Sequence, residues 1–268
     1  MDPLDRIAAA LERLAPPPPA PADPLAHPAY AWRNGLLVAI DAAAVPLERL
    51  IGLDRQRDVL LANLTRLAQG HAAHDVLLWG ARGSGKSALA KAAVAAVQRA
   101  HSALALVVAD ELAALPALFA ALAGVPRPAA VFVDDVGVDA PGDARALRSL
   151  LEGGAVPRPD GVRLLVTANR RHLLPRDMAA QADAINGRDV ADDQLALADR
   201  FGLSLGFHAL DQAGYLAIVG GYAVAHGLTF DPAEAIEWAA RRGSRSGRVA
   251  WQFVVEIAGR AGLALPQR

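Results

Sequence analysis

Between Asp75 and Phe207, short apolar runs alternate with longer helix-forming stretches. The runs are Asp75–Trp79, Leu104–Val108, Ala130–Val133, Val162–Asn169 and Leu203–Phe207, each short enough for a buried strand. Helices are predicted around them. One opens near Asp54 and reaches about Gln69, and another follows the first run over Ala88–Val97. Glu111–Leu122 is interrupted early by Pro116, and Asp143–Glu152 is closed by Gly153-Gly154. From Asp211 onward the strand signal stops. Ala213–His226, Pro232–Arg242 and Val249–Ala261 read as helices separated by Gly and Asp-Pro breaks. At the other end, Leu4, Ile7, Leu11 and Leu14 share one helical face, either a loose arm or a docking element for a neighbouring subunit. Pro16–Pro19 begins a stiff linker that runs to about Pro28, after which Tyr30 and Trp32 are expected to pack inside. The pattern predicts an α/β fold with an N-terminal helix and linker over 1–28, an α/β unit over 29–210 and a helical unit over 211–268.

Two junctions in this pattern carry chemistry. Gly80-Ala81-Arg82-Gly83-Ser84-Gly85-Lys86-Ser87 fits the phosphate-loop pattern G-x-x-x-x-G-K-[ST] at every fixed position, with a strand before it and a helix after it. Gly80, Gly83 and Gly85 let successive N–H groups face one point, and the helix N-terminus adds partial positive charge there. Lys86 is placed to reach the outer phosphates, and the Ser87 hydroxyl to sit on Mg²⁺. Ala81, Arg82, Ser84 and Ala88 complete the expected nucleotide contacts. The second junction is Ala130-Val131-Phe132-Val133-Asp134-Asp135, an apolar run ending in two acids, as in the Walker B pattern. Open α/β sheets bind ligands at such strand ends. Asp134 is expected to hold Mg²⁺ through water; an N-cap pair before the next helix is the plainer alternative.

Composition narrows the class. Hydrophobic residues make up 53% of the 268 residues, enough for a real core. Of the 27 basic residues only Lys86 and Lys91 are lysines, so a lysine in the phosphate loop stands out against an arginine background. Net charge is −1, which gives no global attraction for nucleic acid. Without Cys there is neither a disulfide nor a thiolate metal site. Met1-Asp2-Pro3-Leu4-Asp5 lacks the layout of a signal peptide, and the apolar stretch from Leu112 to Val133 is broken by Pro116, Pro126, Arg127 and Pro128. A cytoplasmic protein with no membrane span is expected.

Several further segments resemble those of the AAA+ ATPases. Leu50-Ile51-Gly52-Leu53-Asp54-Arg55-Gln56 resembles the stretch lining the adenine pocket in that superfamily, which marks Ile51 and Gly52. An ordinary helix start with Asp54 as N-cap is compatible with the same residues. Asn169 falls at the sensor 1 position, where it would orient water beside Asp135. Asp135 stands where the superfamily usually has Glu, one methylene longer, so vigorous hydrolysis is not implied. Arg170-Arg171-His172 either contacts phosphate, a partner or nucleic acid, or forms a solvated loop. Gln181–Leu197 is acidic and polar. Arg200, just before the last run, resembles an arginine finger that reaches a neighbouring subunit's γ-phosphate; an ion pair within the subunit, with Asp199 or another nearby acid, is the alternative. Gly243–Ala250 falls at sensor 2, with Arg248 the first choice for the γ-phosphate contact, Arg245 the second, and a basic capping loop the alternative.

Tyr30–Leu263 as a whole resembles an uncharacterised bacterial family of predicted AAA+ ATPases. The resemblance is carried by Leu78–Ser87, Val133-Asp134-Asp135, Thr167–Leu173, Asp199–Leu203 and Arg245–Val249. It implies a P-loop NTPase fold with a five-stranded parallel sheet and a small C-terminal helical lid. It also implies ATP and Mg²⁺ as cofactors, assembly into a homo-oligomer, and hydrolysis coupled to remodelling of a macromolecular partner. A second reading is a slowly hydrolysing, nucleotide-gated assembly protein or DNA-associated loader that a partner activates. Asp135 favours it, as does the lack of an aromatic-apolar-Gly loop between Leu112 and Ala130. Its DNA contacts would be Arg170, Arg171, Arg241, Arg242 and Arg245. A monomeric kinase would leave Arg200 and the terminal helices without a purpose.

Overall fold

The computed structural model describes residues 21–136, 156–169 and 200–265, with 2, 3, 6, 147, 149–151 and 153 beside them. The predicted helix over Leu4–Leu14 is described only at Arg6, which is helical, and the proline run, Arg170-Arg171-His172, the acidic stretch and Asp199 lie outside the described residues. The helix over Asp143–Glu152 is described only at Leu147 and positions 149–151, which are helical.

Among the described residues, seven strands form one sheet in the order β2-β1-β4-β5-β6-β3-β7. They are β1 Ala29–Arg33, β2 Leu36–Ala39, β3 Val76–Gly80, β4 Ala105–Ala109, β5 Ala129–Val133, β6 Val162–Asn169 and β7 Leu203–Phe207. The last five are the predicted runs, and they pair in parallel. The expectation of five strands is corrected to seven, because Tyr30 and Trp32 belong to a hairpin joined to the sheet's edge. β1 runs parallel to β4, and β2 returns antiparallel to β1. The turn between them is Asn34-Gly35, with φ of 50° and 77°. Positive φ at both central residues is the geometry of the tight hairpin turn that Asn-Gly favours.

Helices α1 Asp54–Ala68 and α2 Lys86–Ala100 cover one face of the sheet, and α3 Leu115–Leu122 covers the other. Strand β5 shows why its sequence is unbrokenly apolar. Ala129, Val131 and Val133 face the α3 side, while Ala130 and Phe132 face α1 and α2. A strand covered on both faces has no polar alternation to show. Pro116 starts α3 rather than interrupting a longer helix, since its fixed φ and missing N–H suit the first turn. Asp54 is the first residue of α1 and makes no capping bond; its carboxylate pairs with Arg57 at 2.8 Å instead.

Helices α4 Gln212–Ala225, α5 Pro232–Arg241 and α6 Gly247–Arg260 build a separate apolar cluster around Tyr215, Val219 and Phe253. Each starts on a side-chain cap: Asp211 accepts from Gly214 N–H, Asp231 from Ala233 N–H and Ser246 from Val249 N–H. Ile51, from the segment before α1, also packs against this cluster. No helix among the described residues is long and apolar enough to cross a membrane.

Candidate functional site

Parallel pairing brings the predicted site residues to one edge of the sheet. Gly80 at the end of β3 stands beside Asn169 at the end of β6, and Asp134 follows β5 on the far side of β6. Gly80 has φ of 141°, and a Cβ there would lie 1.9 Å from the Phe207 carbonyl oxygen. Only glycine lets β3 turn into the loop so close to β7. From there the chain reaches Lys86 at the N-terminus of α2, where the helix dipole favours an anion.

The polar groups at this edge are densely bonded. Lys86 Nζ donates to the carbonyls of Gly80 at 3.1 Å and Ala81 at 2.8 Å, and to Asn169 Oδ1 at 3.3 Å. Burial pulls the Lys86 ammonium below the ordinary lysine value, against the opposing pull of Asp135 and Asp134. The Ser87 hydroxyl donates to Asp134 Oδ1 at 2.6 Å. Asn169 Nδ2 donates to Asp135 Oδ1. Lys86, Asn169 and Asp135 therefore form one continuous chain of hydrogen bonds. Asp135 itself has φ of 51°, left-handed backbone that is uncommon for a residue with a side chain.

These groups line one end of a cavity of about 470 Å³. Its other side is apolar, formed by Ile51, Ile218, Tyr222 and Trp251 of the helical cluster together with Leu50, and Arg49 also lines the cavity. The rings of Tyr222 and Trp251 meet edge to face, 5.5 Å between centroids. Arg82, Gly83, Ser84, Gly85, Ala88 and Arg248 also line this cavity. Sequence reasoning did not single out Ile218, Tyr222, Trp251 or Thr167. The aromatic and aliphatic positions read as helix core, and their approach to the loop depends on how α4 and α6 pack.

Not every predicted residue is in this cavity. Ala81 and Arg245 line a neighbouring cavity of about 340 Å³ on the other flank of the loop, so the structure separates Arg245 from Arg248. Gly80 contributes its carbonyl to Lys86 rather than a wall. Gly52 has φ of 77° with open space around it; it makes the turn that presents Ile51. Gln56, the last residue of that segment, ties it to the sheet by donating to the Gly206 carbonyl at 2.9 Å. Arg200 precedes β7 at the end of the sheet opposite Gly80, which aligns with Phe207. The four steps of β7 from Leu203 to Phe207, at about 3.3 Å each, already put it on the order of 13 Å from the phosphate loop of its own chain.

The start of α6 touches the phosphate loop directly. Gly247 N–H donates to the Gly83 carbonyl at 3.1 Å, and a Cβ on Gly83 would lie 2.9 Å from the Ser246 Cβ. The donor set suits a phosphate chain and a hard divalent cation. Lys86 now holds carbonyl oxygens that phosphate oxygens would replace, and Ser87 with Asp134 offers oxygen ligands. Among the described residues no group of three or more His, Asp or Glu could hold a metal, so phosphates and water would supply the remaining ligands.

The fold is that of AAA+ P-loop proteins. The Thermotoga maritima RuvB Holliday junction branch migration motor superposes with a TM-score of 0.51 at 18% identity, over 81% of this chain and 66% of that one. The Aeropyrum pernix ORC2 protein, solved as ADPNP-ADP complexes, gives 0.52 at 19% identity over 83% and 66%. The Aeropyrum pernix ORC1 protein, solved in complex with DNA, gives 0.53 at 14% identity over 83% and 66%. This chain thus spans just under two thirds of each of these proteins. No curated protein matches the sequence. The profile of DUF815, described as a protein of unknown function, matches residues 25–261, and the chain belongs to that family.

Proposed function

We propose that this chain is an ATPase that binds Mg·ATP between an α/β unit over 29–210 and a helical lid over 211–268. The observation that carries the reading is the convergence of Lys86, Ser87, Asp134, Asn169 and Arg248 on one cavity whose opposite end is apolar. A nucleotide has this polarity, with a charged phosphate chain at one end and a flat base at the other. In this reading the loop amides and Lys86 hold the phosphates, and Ile51, Ile218, Tyr222 and Trp251 hold the base. Ser87 and Asp134 hold Mg²⁺, which would neutralise charge on the outer phosphates when bound. Asp135 and Asn169 orient the attacking water, and Arg248 contacts the γ-phosphate from the lid. Arg200, remote from its own loop, is the residue a second copy would receive, making the assembly a homo-oligomer with shared sites.

Asp135 favours slow turnover by an isolated chain. Its carboxylate is one methylene shorter than the glutamate usual at this position and is oriented by Asn169 through a single oxygen, so it reaches a bound water less readily. This supports activation by assembly or by a macromolecular partner, protein or DNA. Equilibrium binding of a fluorescent ATP analogue to wild type and Lys86→Ala tests the first step. Loss of binding by more than about a hundredfold is expected, in line with removing a buried charge-assisted contact to phosphate. A Lys86→Ala protein that binds as tightly as wild type would overturn the assignment.

A further inference from the structure

Thr167 sits on β6 two residues before Asn169 and is 1% exposed. Its hydroxyl donates to Asp134 Oδ1 at 2.6 Å and accepts from the Asp135 N–H at 2.7 Å. Its carbonyl accepts from the Val136 N–H at 2.8 Å. One residue therefore fixes three consecutive positions after β5. The hydroxyl uses its only proton on one acid and a lone pair on the backbone of the next. Asp134 Oδ1 also accepts from Ser87, so the metal-side carboxylate is tied to both the phosphate loop and β6. The Asp135 N–H is held while its backbone is left-handed, and from that conformation its carboxylate reaches Asn169.

We propose that Thr167 is a positioning residue for both acids: its single hydroxyl keeps the carboxylates of Asp134 and Asp135 in fixed relation across the site. The inference rests on the Mg·ATP reading and adds to it a residue that acts through Asp134 and Asp135. Valine has the same branched shape and keeps the strand, but leaves the Asp135 N–H without an acceptor and Asp134 with one donor fewer. Serine restores the hydroxyl.

The test compares wild type, Thr167→Val and Thr167→Ser by binding of a fluorescent ATP analogue in EDTA, by the Mg²⁺ concentration that gives half-maximal tightening of that binding, and by turnover. Thr167→Val is expected to bind nucleotide in EDTA like wild type. It should need about tenfold more Mg²⁺ and show kcat lowered by about ten- to a hundredfold with KM for ATP little changed, the scale of a lost charge-assisted hydrogen bond. Thr167→Ser should recover most of both. A Thr167→Val protein within twofold of wild type in Mg²⁺ requirement overturns the inference. So does parallel loss of metal-free binding, since that reports a collapsed site rather than a misplaced pair of acids. If wild type turns over too slowly to measure, the Mg²⁺ arm decides. If wild type binds no ATP, the ATPase reading itself falls and takes this role with it.

Discussion

The two ends of the cavity are built by different means. The phosphate end comes from four neighbouring strands and one loop, and nearly every polar atom there already has a partner: Lys86 with two carbonyls and Asn169, Ser87 and Thr167 with Asp134. The base end is assembled from three remote pieces, the Ile51 segment, α4 and α6, whose side chains pack in one apolar cluster. One end is fixed by sheet register, where a shift of one residue would flip every side chain. The other is fixed by how a helical cluster leans on a loop, which tolerates adjustment. The phosphate end should therefore resist substitution by failing outright, and the base end should respond by degrees.

Gly80→Ala tests the rigid side and carries the largest effect. The added Cβ would meet the Phe207 carbonyl at 1.9 Å, at a φ that side chains rarely adopt. Relief needs β3 and the edge strand β7 to part where both run into the site. A loss of more than about 3 kcal/mol in denaturant unfolding is expected, from overpacking against backbone and strained φ together. A loss below about 1 kcal/mol would show that the loop and β7 move freely, and the contrast with the base end would disappear.

The same contrast decides what the sequence made legible. The phosphate loop, Asp134-Asp135 and Asn169 are contiguous signatures whose spacing is set by local strand-to-loop geometry, so they read directly, as did the five parallel strands. The β1–β2 hairpin was also readable: Asn34-Gly35 between Tyr-Ala-Trp and Leu-Leu-Val is a strong hairpin signal. Tyr222 and Trp251 were not readable as site residues. Each lies on an amphipathic helix at a position that any core would fill, and only the approach of α4 and α6 to the loop gives them a second role. Thr167 lies between these cases, a polar residue in an apolar strand whose partners follow a different strand. Asp54 shows the opposite error, a capping residue by type that stands one position inside the helix.

Trp251→Ala probes the base end with the next largest effect. ATP affinity should fall by about tenfold, the equivalent of about 1.4 kcal/mol for a lost aromatic wall. Inorganic tripolyphosphate, which has no base, should compete for the phosphate end as well as it does in wild type. Equal loss for both ligands would mean the ends are not separable. Gly221→Ala sharpens the point without replacing any lining residue. Its Cβ would lie 2.2 Å from Ile51 Cδ1, the movable tip of a side chain. Ile51 should turn away at a cost within about 1 kcal/mol, while ATP affinity shifts by about two- to fivefold. Unchanged affinity would remove Ile51 from the base contact.

The last effect concerns pH and returns to the phosphate end. Burial lowers Lys86 in the empty site, whereas phosphate oxygens beside it would favour the charged ammonium. Below the lowered value Lys86 is charged whether or not nucleotide is present, and affinity should be flat with pH. Above it the empty site holds a neutral amine, so binding must take up a proton and affinity falls as pH rises, by at most about tenfold per unit. Stability of the empty protein should move the other way in the same window. The unfolded chain, with lysine near 10.5, binds the proton that the folded site has released, so the penalty for burying the ammonium shrinks as pH rises from the lowered value toward 10.5. Calorimetric titration with nucleotide and denaturant unfolding, both followed into the alkaline range, should therefore give slopes of opposite sign that share one onset. Lys86→Met should flatten the stability slope contributed by this site. Slopes of the same sign would mean that Lys86 is not the group that titrates, and that the hydrogen bonds to Gly80 and Ala81 hold its charge at full strength in the empty protein.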